Sequence, residues 1–356
     1  MKNTKRFPAL CVLAVVFLLT FALAACDTDT PDPTPPDNKD KPSWTLTSPD
    51  GTITLDVYFA NGQIAYSVAK GDVTVVEKSN IGMATDKCEF VDLTFVESQT
   101  DSKTISYTNV SGKTKQVNTS FKQNILTFAE GDYILDVVFR TYNDGYAFRY
   151  NIRKANGTEG DFTVTDELTH FALPGNAKTY AMAVVTNVGV LGGGAYYSYE
   201  DKYQYRSYKN LANEQLGFPV LYSVKSGNDE VYSLITEADI YGREYHGSAL
   251  QLDGTDGLKT IHMPACGSEA SMNASYPFTS PWRVAVVGGP DTMVESTLVE
   301  DVYDEIEPWK PDDYDSLSEE EKQIYTYDWV KPGAAAWSYL NFDGDPAKQA
   351  AQSNLE

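Results

Sequence analysis

The chain has 356 residues, 42% of them hydrophobic, enough for a sizeable core and, by length, for two domains. Acidic residues outnumber basic ones 50 to 28, giving a formal net charge of −22. That balance argues against a nucleic-acid partner, which needs clustered Lys and Arg, and leaves a neutral ligand or a cation open.

From the N-terminus, Lys2, Lys5 and Arg6 precede an apolar run, Ala9 to Ala25, broken only by Thr20. A basic start and a short apolar run ending in small residues read as a secretory signal over 1–25. Leu23-Ala24-Ala25-Cys26 resembles the bacterial lipobox. The resemblance implies cleavage before Cys26, acylation of its thiol and a lipid anchor at the cell envelope. Residues 27–43 are rich in Pro and Asp and hold no large apolar side chain, so 26–43 reads as an extended, disordered tether. Of the remaining cysteines, Cys88 and Cys266 could pair in an oxidising compartment or stay as two buried thiols. No CxxC spacing supports a thiolate metal site.

Residues 44–300 read as β. Ile53, Leu55, Val57 and Phe59 alternate on one face, Asn61-Gly62 follows, and Ile64, Tyr66 and Val68 alternate again. Asn-Gly supplies the two positive φ angles of a type I′ hairpin turn. The spacing predicts a second hairpin from Tyr133 to Ile152, turning at Asp144-Gly145. Further strands are expected near 72–77, 103–108, 162–166, 178–187, 219–224, 230–236, 248–252 and 282–287. Many strands and few helical patterns predict a mainly β fold, a large antiparallel sandwich. The 24 tyrosines suit sheet packing and suit sugar rings equally well.

After 300 the texture changes. Residues 301–328 read as an acidic linker with one short helix, started by Ser316 or Ser318 ahead of Glu319-Glu320-Glu321. Gly333 to Leu340 then reads as a buried strand of small residues, and Asp345-Pro346 opens a helix. A strand followed by a helix is how a parallel α/β layer begins, and one such unit cannot bury both faces of its strand. Residues 329–356 are therefore expected to be the start of a second, incomplete domain.

An ordered set of motifs carries a resemblance. They are Ser48-Pro49-Asp50-Gly51, Asn143-Asp144-Gly145-Tyr146-Ala147-Phe148-Arg149-Tyr150, Thr236-Glu237-Ala238-Asp239, Ser280-Pro281-Trp282-Arg283-Val284, Glu295-Ser296-Thr297-Leu298, and Trp329 through Trp337. Together they resemble glycoside hydrolase family 97, bacterial α-glucosidases and α-galactosidases. The resemblance implies a β-supersandwich over 44–300, then the first βα element of a (β/α)8 barrel. It also implies an oligosaccharide substrate for the complete enzyme. The acidic stretch 307–328 is longer than the family's usual connection.

Glycoside hydrolysis needs two carboxylates flanking the scissile bond, carried in a barrel at the C-terminal ends of its strands. The strands after the first are not in this sequence, so no catalytic residue is nominated. The resemblance implies Ca2+ in the complete enzyme, with Glu237 as the one ligand from the sandwich and the ion weak or absent in this chain. As a strand-end carboxylate, Glu237 is expected to add little to the sandwich core, so Glu237→Ala should barely change its melting. Trp337, near the end of the first barrel strand, either stacks on sugar or packs in the core. His170, His246 and His262 lack a zinc spacing. The other reading is a non-catalytic carbohydrate-binding or structural β-sandwich lipoprotein.

Overall fold

The computed structural model describes residues 41–303, except 110–112, 189–194, 199–201, 212–213, 241–244, 246, 255 and 263–270, and beyond them 310–311, 313–326, 331 and 333. Cys26, Cys266, Trp337 and all but Gly333 of the strand expected over 333–340 lie outside the described residues.

Two large antiparallel sheets make the fold. The first has eight strands, in the order Trp44–Thr47, Ile53–Ala60, Gln63–Lys70, Val73–Ile81, His170–Ala172, Gly257–His262, Ser248–Asp253 and Gln215–Leu216. The second has ten. Its main path runs Gln204–Ser207, Lys178–Ala181, Val220–Ser226, Asp229–Ala238, Trp282–Gly288, Gly145–Lys154, Tyr133–Tyr142, Gln116–Glu130 and Thr94–Thr108, with Phe278–Thr279 paired beside Gly145–Lys154. A three-stranded sheet of Met272–Tyr276, Gly160–Glu167 and Met83–Thr85 flanks them.

Period-two alternation sorts the side chains. Leu55, Val57, Tyr66 and Val68 from the first sheet share one buried cluster with Phe128, Phe139, Phe148, Tyr150 and Ile235 from the second. Tyr66 meets Phe148 at 5.2 Å between ring centroids and Phe59 meets Phe128 at 5.0 Å, so aromatic pairs bridge the two layers. The opposite face of the ten-stranded sheet carries a second cluster of Phe121, Tyr142, Trp282, Val284 and Val286. Two short helices, Pro290–Glu295 and Leu298–Asp301, cover it, and Leu298 and Val302 are buried there.

The sandwich expected from the alternation is what forms. Asn61 and Gly62 have φ of 52° and 72°, as the hairpin turn requires. Two details differ and one is narrowed. The second hairpin turns at Asn143-Asp144, and Gly145 is already in the strand, paired with Tyr142. A Cβ on Gly145 would lie 2.2 Å from the Ala285 carbonyl oxygen, so glycine is set there by the closeness of the neighbouring strand. The run expected over 178–187 divides into Lys178–Ala181 in the large sheet and Val185–Val188 in a separate two-stranded one. In the acidic stretch, Ser318 caps Glu319–Lys322 through a capping box closed by Glu321.

Candidate ligand end of the sandwich

The Asp229–Ala238 and Trp282–Gly288 strands pair with Glu237 directly opposite Arg283. Ala285, Val287 and Ile235 alternate onto the interior face, and the same alternation carries Arg283 and Glu237 inward. Arg283 is 1% exposed, so its charge must be matched inside the protein. Glu167, at the end of Gly160–Glu167, matches it with two hydrogen bonds. Arg283 Nε donates to Glu167 Oε1 at 2.7 Å and Nη2 to Oε2 at 2.5 Å. Nη2 also reaches the Tyr245 hydroxyl at 2.9 Å and Ser248 Oγ at 3.0 Å. The Tyr245 hydroxyl donates to Glu167 and lies 3.1 Å from His262 Nε2.

Arg283 Nη1 donates to Glu237 Oε2 at 2.5 Å, and the Ser248 backbone N–H donates to Glu237 Oε1 at 3.0 Å. Two carboxylates thus share one guanidinium, leaving one surplus negative charge. Burial alone would raise the Glu167 carboxyl, but the Arg283 charge, its hydrogen bonds and the Tyr245 hydroxyl hold it below the usual carboxylate range. The Glu237 side chain is 9% exposed against 1% for Glu167, so the surplus charge meets solvent at Glu237. Each Glu237 oxygen accepts one hydrogen bond here and has a second lone pair, which suits a hard cation. Ca2+ needs six to eight oxygens, and no group of three or more His, Cys, Asp or Glu among the described residues could hold a metal ion. Glu237 therefore fits one ligand position of a larger site.

The other side of the same strands is equally specific. Trp282 points to the opposite face, where it is buried against two guanidinium groups, Arg140 at 4.5 Å and Arg149 at 4.3 Å from its ring. Arg149 Nη1 lies 3.7 Å from Asp239 Oδ2, and Asp239 has a φ of 58°. Adjacent residues of one motif, Trp282 and Arg283, so serve opposite faces of the sheet. The motifs separated in sequence meet in space. Asp50 N–H donates to Asn143 Oδ1 at 3.0 Å, and Ser296 Oγ donates to Asp144 Oδ2 at 2.6 Å.

Of the residues singled out in the sequence, the structure places Glu237 in this network, while Cys26 and Trp337 lie outside the described residues. Cys88 is a free thiol, and burial pushes it up to about 11. Glu237 is more than a strand-end carboxylate, because it hydrogen-bonds a buried arginine. The expectation that its removal leaves the sandwich unaffected is revised accordingly. Arg283 stood in a quoted motif without an assigned role. Glu167 lies in an unremarkable Asp166-Glu167-Leu168 stretch and had no sequence signal.

Comparison with known proteins bears on this geometry. Residues 46–304 match the family model described as glycosyl-hydrolase 97 N-terminal. The chain is 24% identical over 359 residues to a probable retaining alpha-galactosidase of Streptomyces bingchenggensis, covering 98% of this chain and 48% of that protein. It is also 24% identical to a retaining alpha-galactosidase of Bacteroides thetaiotaomicron, covering 84% of this chain and 44% of that protein. The chain thus spans about half the length of these curated relatives. Among solved structures, a glycoside hydrolase family 97 enzyme from Pseudoalteromonas sp. strain K8, in complex with panose, superposes with a TM-score of 0.63 at 20% identity, over 75% of this chain and 39% of that one. A beta-arabinopyranosidase superposes with a TM-score of 0.60 at 22% identity, over 76% of this chain and 44% of that one.

Proposed function

The chain belongs to glycoside hydrolase family 97 through its N-terminal domain, and from that premise we propose that it is the sandwich part of an exported α-glycosidase acting on α-glucosides or α-galactosides. The observation that carries this reading is the pinned, negatively charged Glu237 at one end of the sandwich. In the complete enzyme Glu237 would be one oxygen ligand of a Ca2+ ion. That ion would supply fixed positive charge for the substrate's reacting oxygens. Arg283 and the Ser248 N–H hold the Glu237 carboxylate in one orientation, and Glu167 neutralises the arginine so that it stays buried.

The export reading rests on the basic, apolar start and on Leu23-Ala24-Ala25-Cys26, which implies a lipid anchor at Cys26. Hydrolysis by the 356 residues alone is not expected. They span about half of the curated relatives, and no acid and base pair is assigned among them. The test is turnover of aryl α-glucosides and aryl α-galactosides by the purified chain. The expected rate is background. Turnover that co-purifies with the protein would place the catalytic pair within these residues and overturn the assignment.

A further inference from the structure

The eight-stranded sheet splits partway along its length. The three-residue strand His170–Ala172 sits between Val73–Ile81 and Gly257–His262. It pairs with Val73–Ile81 at a single position, Ala172 opposite Glu77. Beyond that point a side chain replaces the ladder: the Ala172 N–H donates to Ser79 Oγ at 2.8 Å. The opening holds a cleft of about 610 Å3. That falls within the few hundred to about 1,000 Å3 of small-ligand sites.

The lining is two-sided. Ile81 and Leu168 contribute apolar surface, and Leu168 is 38% exposed there. Asn80, His170, Asp253 and Lys259 contribute donors and acceptors. Two lysines face three aspartates and Glu167 along the lining, and Glu167 is already paired with Arg283, so the cleft keeps a small negative excess that disfavours an anion. Burial lowers the His170 imidazole, which the charge of Asp253 only partly offsets, so at neutral pH the ring offers one donor and one acceptor. An apolar wall facing mixed hydrogen-bonding groups matches a pyranose, which has an apolar face and a rim of hydroxyls.

We infer that this cleft is a second binding site, for a short neutral saccharide, with His170, Asn80, Asp253 and Lys259 reading hydroxyls while Leu168 and Ile81 cover the sugar's apolar face. The site needs neither Glu237 nor hydrolysis. Its failure would leave the glycosidase reading standing, and the failure of that reading would leave the site intact.

Calorimetric titration of the 356-residue chain with maltotriose and raffinose, against tri-galacturonate as the anionic comparison, tests it. Saturable binding of a neutral trisaccharide is expected. Asp253→Ala and Lys259→Ala should each weaken it about tenfold, the loss of one good hydrogen bond to a charged group. Both side chains reach solvent, so neither change should disturb the fold. The inference is overturned by the absence of saturable heat with both neutral sugars, by affinity unchanged in both variants, or by tighter binding of the anionic sugar.

Discussion

Glu167 and Glu237 reach the same guanidinium but differ in what their loss would cost. Glu167 makes two hydrogen bonds to Arg283 from a fully buried position, and without it the arginine keeps only one counter-charge, Glu237 at the solvent edge. Removing one member of a buried pair costs about 3 kcal/mol or more, so Glu167→Gln should lower stability by that order. Glu237→Ala leaves the Glu167–Arg283 pair balanced and removes the surplus charge, so a loss of about 1–2 kcal/mol is expected. Urea unfolding of the two variants at pH 7 checks the ranking. A larger loss for Glu237→Ala would show that Glu237 is the main counter-charge. The pH dependence follows from the direction of the shift. The folded Glu167 carboxyl lies below its ordinary value of 4.5. Its contribution is therefore present above about pH 4.5 and is lost as pH falls through the lower folded value. The gap between wild type and Glu167→Gln should narrow in acid.

At the scale of strands and helices, two contacts fix where elements sit. Gly145 lies where the Gly145–Lys154 strand meets Trp282–Gly288, and a Cβ there would also lie 2.5 Å from Leu298. Gly145→Ala must push two strands apart or displace the covering helix, at roughly 1–3 kcal/mol or more. Gly71→Ala, at a turn with φ of 55° and nothing near its Cβ, should cost about 1 kcal/mol from backbone strain alone. Equal melting temperatures for the two variants would contradict the crowding at Gly145. Asp301 ties the Thr94–Thr108 strand to the covering helix: Tyr107 donates to Oδ1 at 2.6 Å and Thr297 to Oδ2 at 3.0 Å. Burial pushes the Asp301 carboxyl up to about 6, against hydrogen bonds that lower it. A raised carboxyl contributes stability that is complete below its ordinary 3.8 and is lost as pH rises through about 6. Asp301→Asn should therefore gain on wild type between pH 4 and 7, and a pH-independent difference would refute the buried acid. Legibility follows the same physics. The Ile53–Ala60 hairpin was readable because one face is core and the other wet. Gln116–Glu130 was not, because its first five residues, Gln-Val-Asn-Thr-Ser, carry a single apolar side chain and are held as strand by pairing with Thr104–Thr108 of the edge strand. Glu237 was singled out only through a resemblance. Arg283 and Glu167 were not, since inward-facing charges look like surface residues until their partner is known.

For the molecule as a whole, a charge of −22 and a single candidate cation ligand make opposite demands on added salt. Self-repulsion of a strongly acidic surface weakens the compact state, and screening relieves it over a Debye length of about 10 Å at 0.1 M. Melting temperature should therefore rise with NaCl from low ionic strength and level off. CaCl2 screens in the same way, but it stabilises further only if the folded chain holds the ion, by RT ln(1 + [L]/Kd). Glu237 offers one carboxylate, and the described residues contain no cluster that could complete the shell. A lone carboxylate binds Ca2+ too weakly to matter at millimolar concentrations. Wild-type chain in CaCl2 and in NaCl at matched ionic strength should then melt at the same temperature, and Glu237→Ala should respond identically to the two salts. Differential scanning calorimetry across both series makes the comparison. Several degrees of extra stabilisation by CaCl2 in wild type, lost in Glu237→Ala, would mean that these 356 residues already assemble a cation site around Glu237, contrary to the single-ligand geometry argued above.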